Sequence, residues 1–233
     1  MECTHCKTII NHCARFSGKI TEQMEIAFLR MPKCAGHSIR NYISDNNIDC
    51  RIVKWQEMPT FKLSDYITFA VVRNPFDRAV SYFKFAKSKG IISKRMTFPE
   101  YVQKVIGKND ERFWSHSCPL TEHLCFPIDH VLKIENLDED FRDFCKKVNW
   151  PVKKLEKINT YFHKPYWKYY NDETQRLLTE YYRNDLNQFG YKFERKQQPL
   201  FYFHKIRLHI YERIRRSIHA LARYKKSLKY FRF

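Results

Sequence analysis

Glycine is scarce in this chain, five in 233 residues with nine prolines, too few for a fibrous or low-complexity disordered protein. No run of apolar residues reaches membrane-spanning length. Met1 to Arg15 carries cysteine and histidine where a secretory leader has its apolar stretch, so the expected location is cytoplasmic. The eight cysteines, Cys3, Cys6, Cys13, Cys34, Cys50, Cys118, Cys125 and Cys145, are scattered and expected as reduced thiols. No internal repeat is visible. Acidic residues are the other shortage: 25 Asp and Glu against 43 Lys and Arg leave a net charge of +18. That excess calls for an anionic partner, whether a nucleotide, a nucleic acid, an acidic glycan or an anionic membrane.

What is present is aromatic. Phe and Tyr number 19 and 15, and the length suffices for one large domain with a real core. Ile26 to Arg30, Arg51 to Lys54, Tyr66 to Val72 and Asp129 to Ile134 read as strands, the third as a central parallel one. Between them, helices are expected from Gly36 to Ser44 and from Pro75 to Lys87. A further helix from Phe98 to Ile106 is opened by the capping-box pair Thr97 and Glu100. Leu137 to Val148 and Asp172 to Phe189 complete the set, the last ended by Gly190. Strands alternating with helices predict an α/β fold with a mainly parallel sheet. Residues 1–23 form a Cys-rich extension, 24–198 the main domain, and 199–233 a basic amphipathic helix. This helix has ten Lys and Arg against Glu212 alone, and an Ile206, Ile210, Ile214, Ile218, Leu221 stripe.

Two strand-turn-helix junctions stand out, and such junctions bind phosphates on backbone N–H groups and the positive helix end. The first is Phe28-Leu29-Arg30-Met31-Pro32-Lys33-Cys34-Ala35-Gly36-His37-Ser38-Ile39; the second is Phe69-Ala70-Val71-Val72-Arg73-Asn74-Pro75-Phe76-Asp77-Arg78-Ala79-Val80-Ser81-Tyr82. The first is not a Walker A loop. Its Lys33 can reach over the turn to an anion, and Ser38 adds a hydroxyl. The plain alternative is an ordinary turn with a surface lysine. In the second, Arg73 offers a planar fork for a phosphate, against the alternative of an ion pair with Asp77 at i, i+4. Ser81 is either a ligand or a small packing residue. Arg78 is expected to face solvent or to bond the Asn74 side chain.

Pro-Lys-Cys-Ala-Gly-His-Ser-Ile resembles the 5′-phosphosulfate loop of the sulfotransferases, in the form of the carbohydrate branch. Val-Arg-Asn-Pro-Phe-Asp-Arg-x-Val-Ser-Tyr resembles that family's 3′-phosphate segment. Similarity continues through Asp129 to Leu137 and Tyr169 to Tyr191, so it covers about Ile26 to Phe193 with four motifs in the family's order. The resemblance implies a P-loop-like three-layer fold and 3′-phosphoadenosine 5′-phosphosulfate (PAPS) as donor. Lys33, Cys34, Ala35, Gly36, His37 and Ser38 would hold the 5′-phosphosulfate, and Arg73 and Ser81 the 3′-phosphate. It implies transfer of the sulfuryl group to a glycan or glycolipid hydroxyl, with no metal required. His37 stands where the family has Thr, and either touches phosphate or acceptor or turns outward.

The general base carries over from no single family position. Candidates are Glu57, His116 and His123, each with the alternative of a solvated loop residue. Glu135 is expected to tie a strand end to a neighbouring loop, and His163 and Lys164 stand before a Tyr-rich stretch near the ligands. Cys3, Cys6, His12 and Cys13 make half of a zinc signature; the alternative is a loose extension. The 199–233 helix fits an anionic membrane surface or docking on the domain. Rival functions are a P-loop-like kinase, disfavoured without Walker A or a magnesium-binding Asp, and a basic nucleic-acid-binding protein, disfavoured without a recognition motif.

Overall fold

The computed structural model describes residues 25–195, apart from 107–112, 114–115, 125 and 157–163. The Cys-rich extension, the whole of the basic 199–233 segment, and His163 lie outside the described residues.

Four parallel strands form one sheet in the order β2-β1-β3-β4: β1 Glu25–Arg30, β2 Arg51–Lys54, β3 Tyr66–Val72 and β4 His130–Lys133. β1 pairs with β2 from Ala27↔Arg51 to Arg30↔Lys54, and with β3 from Glu25↔Tyr66 to Leu29↔Ala70. β3 is buried from Ile67 onward, as its unbroken apolar run requires of a strand covered on both faces. The chain steps from β1 outward to β2, then crosses back to β3 on the other side. The order therefore reverses between β1 and β3, and in an open parallel sheet the carboxyl ends at such a reversal are where a ligand crevice is expected.

The flanking helices are α1 Gly36–Asp45, α2 Pro75–Ser88, α3 Phe98–Tyr101, α4 Leu120–His123, α5 Leu137–Lys147, α6 Asp172–Tyr181 and α7 Arg183–Phe189. α1 and α5 meet edge-on through Tyr42 and Phe141, ring centroids 4.8 Å apart. Phe69 of β3 packs on Phe144 of α5 at 4.4 Å and on Phe28 of β1 at 4.9 Å. A second cluster gathers Phe76, Val80 and Phe83 of α2, Tyr101 of α3, and Leu178 of α6 with Tyr182. The result is a three-layer α/β fold.

Local signals place several ends. Asn74 caps α2 by accepting from the Phe76 N–H at 3.0 Å, with Pro75 at the first helical position. Thr97 and Glu100 form the expected capping box, and Gly190 closes α7 at φ 65°.

Three expectations are corrected. The 98–106 helix is one α turn followed by a π-helical turn, Val102–Ile106. The 172–189 helix is two, because Tyr182 leaves helical geometry at φ −99°, ψ 19°. Its side chain is fully buried and its hydroxyl donates to the Ser117 carbonyl at 2.7 Å. Arg78 does not face solvent: it is fully buried, 3.7 Å from the equally buried Asp185.

Among the described residues no helix is long and apolar enough to cross a membrane. No group of three or more His, Cys, Asp or Glu among them could hold a metal ion. Cys34, Cys50, Cys118 and Cys145 are free thiols.

Candidate functional site

The two junctions leave the carboxyl ends of β1 and β3, on either side of the crevice. In the first, Lys33 and Ala35 take left-handed backbone angles, φ 62° and 53°, with Cys34 between them outside that region. Alternating handedness of this kind turns successive N–H groups to one side and makes a concavity for an anion. Ala35 occupies the N-cap of α1 and supplies no side-chain cap, so the helix start keeps its positive end for a ligand. Cys34 is fully buried, donates its thiol to the Pro32 carbonyl at 3.3 Å, and has its pKa pushed up to about 12 by burial. It is an inert packing residue under the loop. Gly36 is needed for a close approach: a Cβ there would sit 2.9 Å from the Arg30 Cγ and Nε.

The Lys33 ammonium lies 4.2 Å from the centre of the Phe85 ring. Burial and then the Arg73 charge bring its pKa from 10.5 down to about 8. His37 is exposed, its Nε2 3.4 Å from an Arg30 guanidinium nitrogen. Burial first, then Arg30, Arg40 and Lys33, lower its pKa, so the ring is neutral near pH 7. Ser38 is buried in the first turn of α1.

Arg73 joins the loops. Its Nη1 donates to the Lys33 carbonyl at 3.2 Å, while Nε and Nη2 donate to Asp77 Oδ2 at 3.0 and 2.8 Å. The ion pair weighed as an alternative is thus present, and it holds the guanidinium across the first loop. Ser81 is buried on α2. Glu135 ties the second loop down as expected, accepting from the Asn74 N–H at 2.7 Å and the Tyr191 hydroxyl at 2.8 Å.

The base candidates separate. Glu57 follows β2 as Lys33 follows β1, three residues past the paired Lys54 and Arg30. Its carboxylate is engaged by Arg51 at 3.6 Å and Lys54 at 3.9 Å. His123 is not a solvated loop residue: it is buried, with Nε2 3.1 Å from the Cys118 Sγ and its ring 5.1 Å from Trp55. His116 stacks flat on Tyr82, centroids 4.9 Å apart and planes at 15°. Burial first, then Lys33 and Arg78, lower its pKa below the usual 6.5. A neutral imidazole near the Lys33 ammonium can accept a proton.

One group escaped the sequence reading and another was misread by it. Tyr82 and Phe85 lie one and four positions past Ser81, a spacing that puts Phe85 on the same helix face and could have flagged it. Arg78 donates to the His116 carbonyl at 3.4 Å and to the Cys118 carbonyl. Its partner Asp185 accepts from the Leu120 and Thr121 N–H groups at 2.8 and 2.9 Å. Nothing local marks that pair, since its members stand far apart in sequence.

A crevice with an uncapped helix start, a lysine and a spanning arginine can hold a ligand with anionic groups at both ends. Residues 18–192 match the family model described as Sulfotransferase family. No curated protein and no solved structure matches the chain.

Proposed function

The chain belongs to the sulfotransferase family and is a sulfate-transferring enzyme; we propose that its donor is PAPS and its acceptor a carbohydrate or glycolipid hydroxyl. The observation that carries the donor reading is the 3.2 Å hydrogen bond from Arg73 to the Lys33 carbonyl. It makes one site of the two segments that resemble the 5′-phosphosulfate and 3′-phosphate motifs. In this reading residues 33–38 hold the phosphosulfate, and Arg73 and Ser81 the 3′-phosphate. The acceptor oxygen attacks sulfur in line with the leaving oxygen, whose growing charge Lys33 offsets. The S–O bond to the donor breaks, 3′-phosphoadenosine 5′-phosphate leaves, and the acceptor proton passes to a base. His116 is preferred over Glu57 for that role, because its ring lies within the field of Lys33 while Glu57 is held by two cations. The carbohydrate acceptor rests on the branch-type loop sequence and on the net charge of +18, which suits an acidic glycan. A peripheral membrane position rests on the basic 199–233 segment.

The test compares thermal stabilisation by 3′-phosphoadenosine 5′-phosphate, ATP and a short DNA duplex. Strong stabilisation by the first alone is expected. Equal stabilisation by ATP returns the kinase reading, and stabilisation by DNA alone returns the nucleic-acid one.

A further inference from the structure

The seat of the Lys33 ammonium is a contact that sulfuryl transfer itself does not use. At 4.2 Å from the Phe85 centroid, the ammonium sits on the ring's negative face, a contact that favours its charged form. Phe85 lies one turn beyond Ser81 on α2 and is only half-buried. Tyr82 lies near-parallel to it, centroids 6.1 Å apart and planes at 29°, and Tyr82 in turn stacks on His116. The ring is therefore braced rather than loose. Across the loop stands Arg73, a like charge that makes the ammonium costly in the absence of an anion.

We infer that Phe85 is the resting seat of the Lys33 ammonium, which donor binding draws from the ring to the phosphosulfate, so that Phe85 holds donor affinity down. The inference rests on the PAPS reading above. Phe85 is a positioning residue: it acts through Lys33 and touches no reacting atom. Removing the ring raises the free energy of the protonated, ligand-free enzyme and leaves the liganded state unchanged. Binding should tighten, the opposite of what lost packing does. The gain should also depend on pH, because only a protonated Lys33 occupies the seat. Burial and Arg73 put its pKa at about 8, so the gain is full below that value and disappears above it.

The experiment is titration of the full chain with 3′-phosphoadenosine 5′-phosphate, in wild type, Phe85→Leu, Phe85→Met and Phe85→Tyr. At about pH 6.5 the Leu and Met variants should bind roughly two- to fivefold tighter, the size of a half-exposed cation–π contact. Near pH 9 the advantage should be gone. Phe85→Tyr keeps a ring face and should bind as wild type. In a Lys33→Met background Phe85→Leu should have no effect. Unchanged or weaker binding by both the Leu and Met variants at low pH overturns the inference. So does a gain that persists at high pH or without Lys33. Absence of binding by the wild type overturns the donor reading, and this inference with it.

Discussion

At Lys33 a strained backbone and a crowded charge meet. A non-glycine residue at φ 62° is kept only where the surroundings enforce it, and here it turns the chain within the loop that leads into the uncapped start of α1. In the proposed mechanism that ammonium offsets charge on the leaving oxygen. Lys33→Ala should therefore lower kcat by about 10²–10³ with the melting temperature little changed, by analogy with loss of one oxyanion donor. Near-wild-type turnover at saturating donor would remove Lys33 from the chemistry. His116 carries the matching pH prediction. Burial, Lys33 and Arg78 lower its pKa from 6.5, so the base form is present at neutral pH and is lost only as pH falls through that lowered value. The kcat/KM profile should have its acid limb at a lower pH than an ordinary histidine would give, and His116→Ala should abolish that limb. A limb that survives in His116→Ala assigns the base elsewhere, with Glu57 the next candidate. Lys33, Arg73 and the candidate histidines were legible as residues because each follows a readable strand or loop. Their engagement was not: whether Arg73 faces Asp77, the first loop or both depends on how the β1 and β3 junctions approach, which neither segment states alone.

At the scale of elements, α2 does most of the positioning. It begins on the Asn74 cap at the second loop and carries Arg78, Ser81 and Phe85 at i, i+3, i+7 spacing along one side, with Arg78 and Ser81 buried. Arg78 and Asp185 pin the segment that carries His116 between α2 and α7, through the His116, Cys118, Leu120 and Thr121 backbone groups. Both side chains are fully buried, so removing one leaves an uncompensated charge. Arg78→Ala should cost about 3–5 kcal/mol of stability, read as a lower denaturant midpoint. The companion Asp185→Asn should be costly too, because it leaves the buried Arg78 charge without its partner and turns an NH2 toward the Leu120 or Thr121 N–H. A loss within experimental error for Arg78→Ala would show that the pair is not holding the segment. Strand periods, the Asn74 cap, the Thr97–Glu100 box and the Gly190 stop were readable because each is a local rule confined to a few residues. The break at Tyr182 was not, because the pattern of α6 and α7 is continuous. The bond that fixes Tyr182 at the break runs from its hydroxyl to the distant Ser117 carbonyl, a partner that the local pattern does not contain. Arg78 was misread for the same reason: an arginine one turn into a helix is ordinarily solvated, and its partner enters only with α7.

At the scale of the whole molecule, the alternation of strands and helices foretold the parallel sheet, and the reversal of strand order explains why both motifs open on one crevice. Charge is the property that fold and crevice do not absorb. The 199–233 segment carries ten Lys and Arg against one Glu, which is half of the net +18, and it falls past the 18–192 span of the family match. A stripe of Ile at helical spacing beneath that charge fits either a helix docked on the domain or, as we propose, one resting on an anionic bilayer surface, where each basic residue adds about 1 kcal/mol near the headgroups. The full chain should therefore co-sediment with vesicles containing anionic lipid at low salt and release at high salt, as charges screened beyond a Debye length must. Reversing Arg215, Arg216, Lys225, Lys226 and Lys229 to Glu should abolish sedimentation. The stabilisation by 3′-phosphoadenosine 5′-phosphate should be unchanged, because the crevice is built from residues before 194. If the reversed chain still binds vesicles, the membrane reading of this segment fails and the cations of the domain itself are responsible. If neither chain binds, the segment serves the protein rather than the bilayer, and the same reversal should then lower the melting temperature.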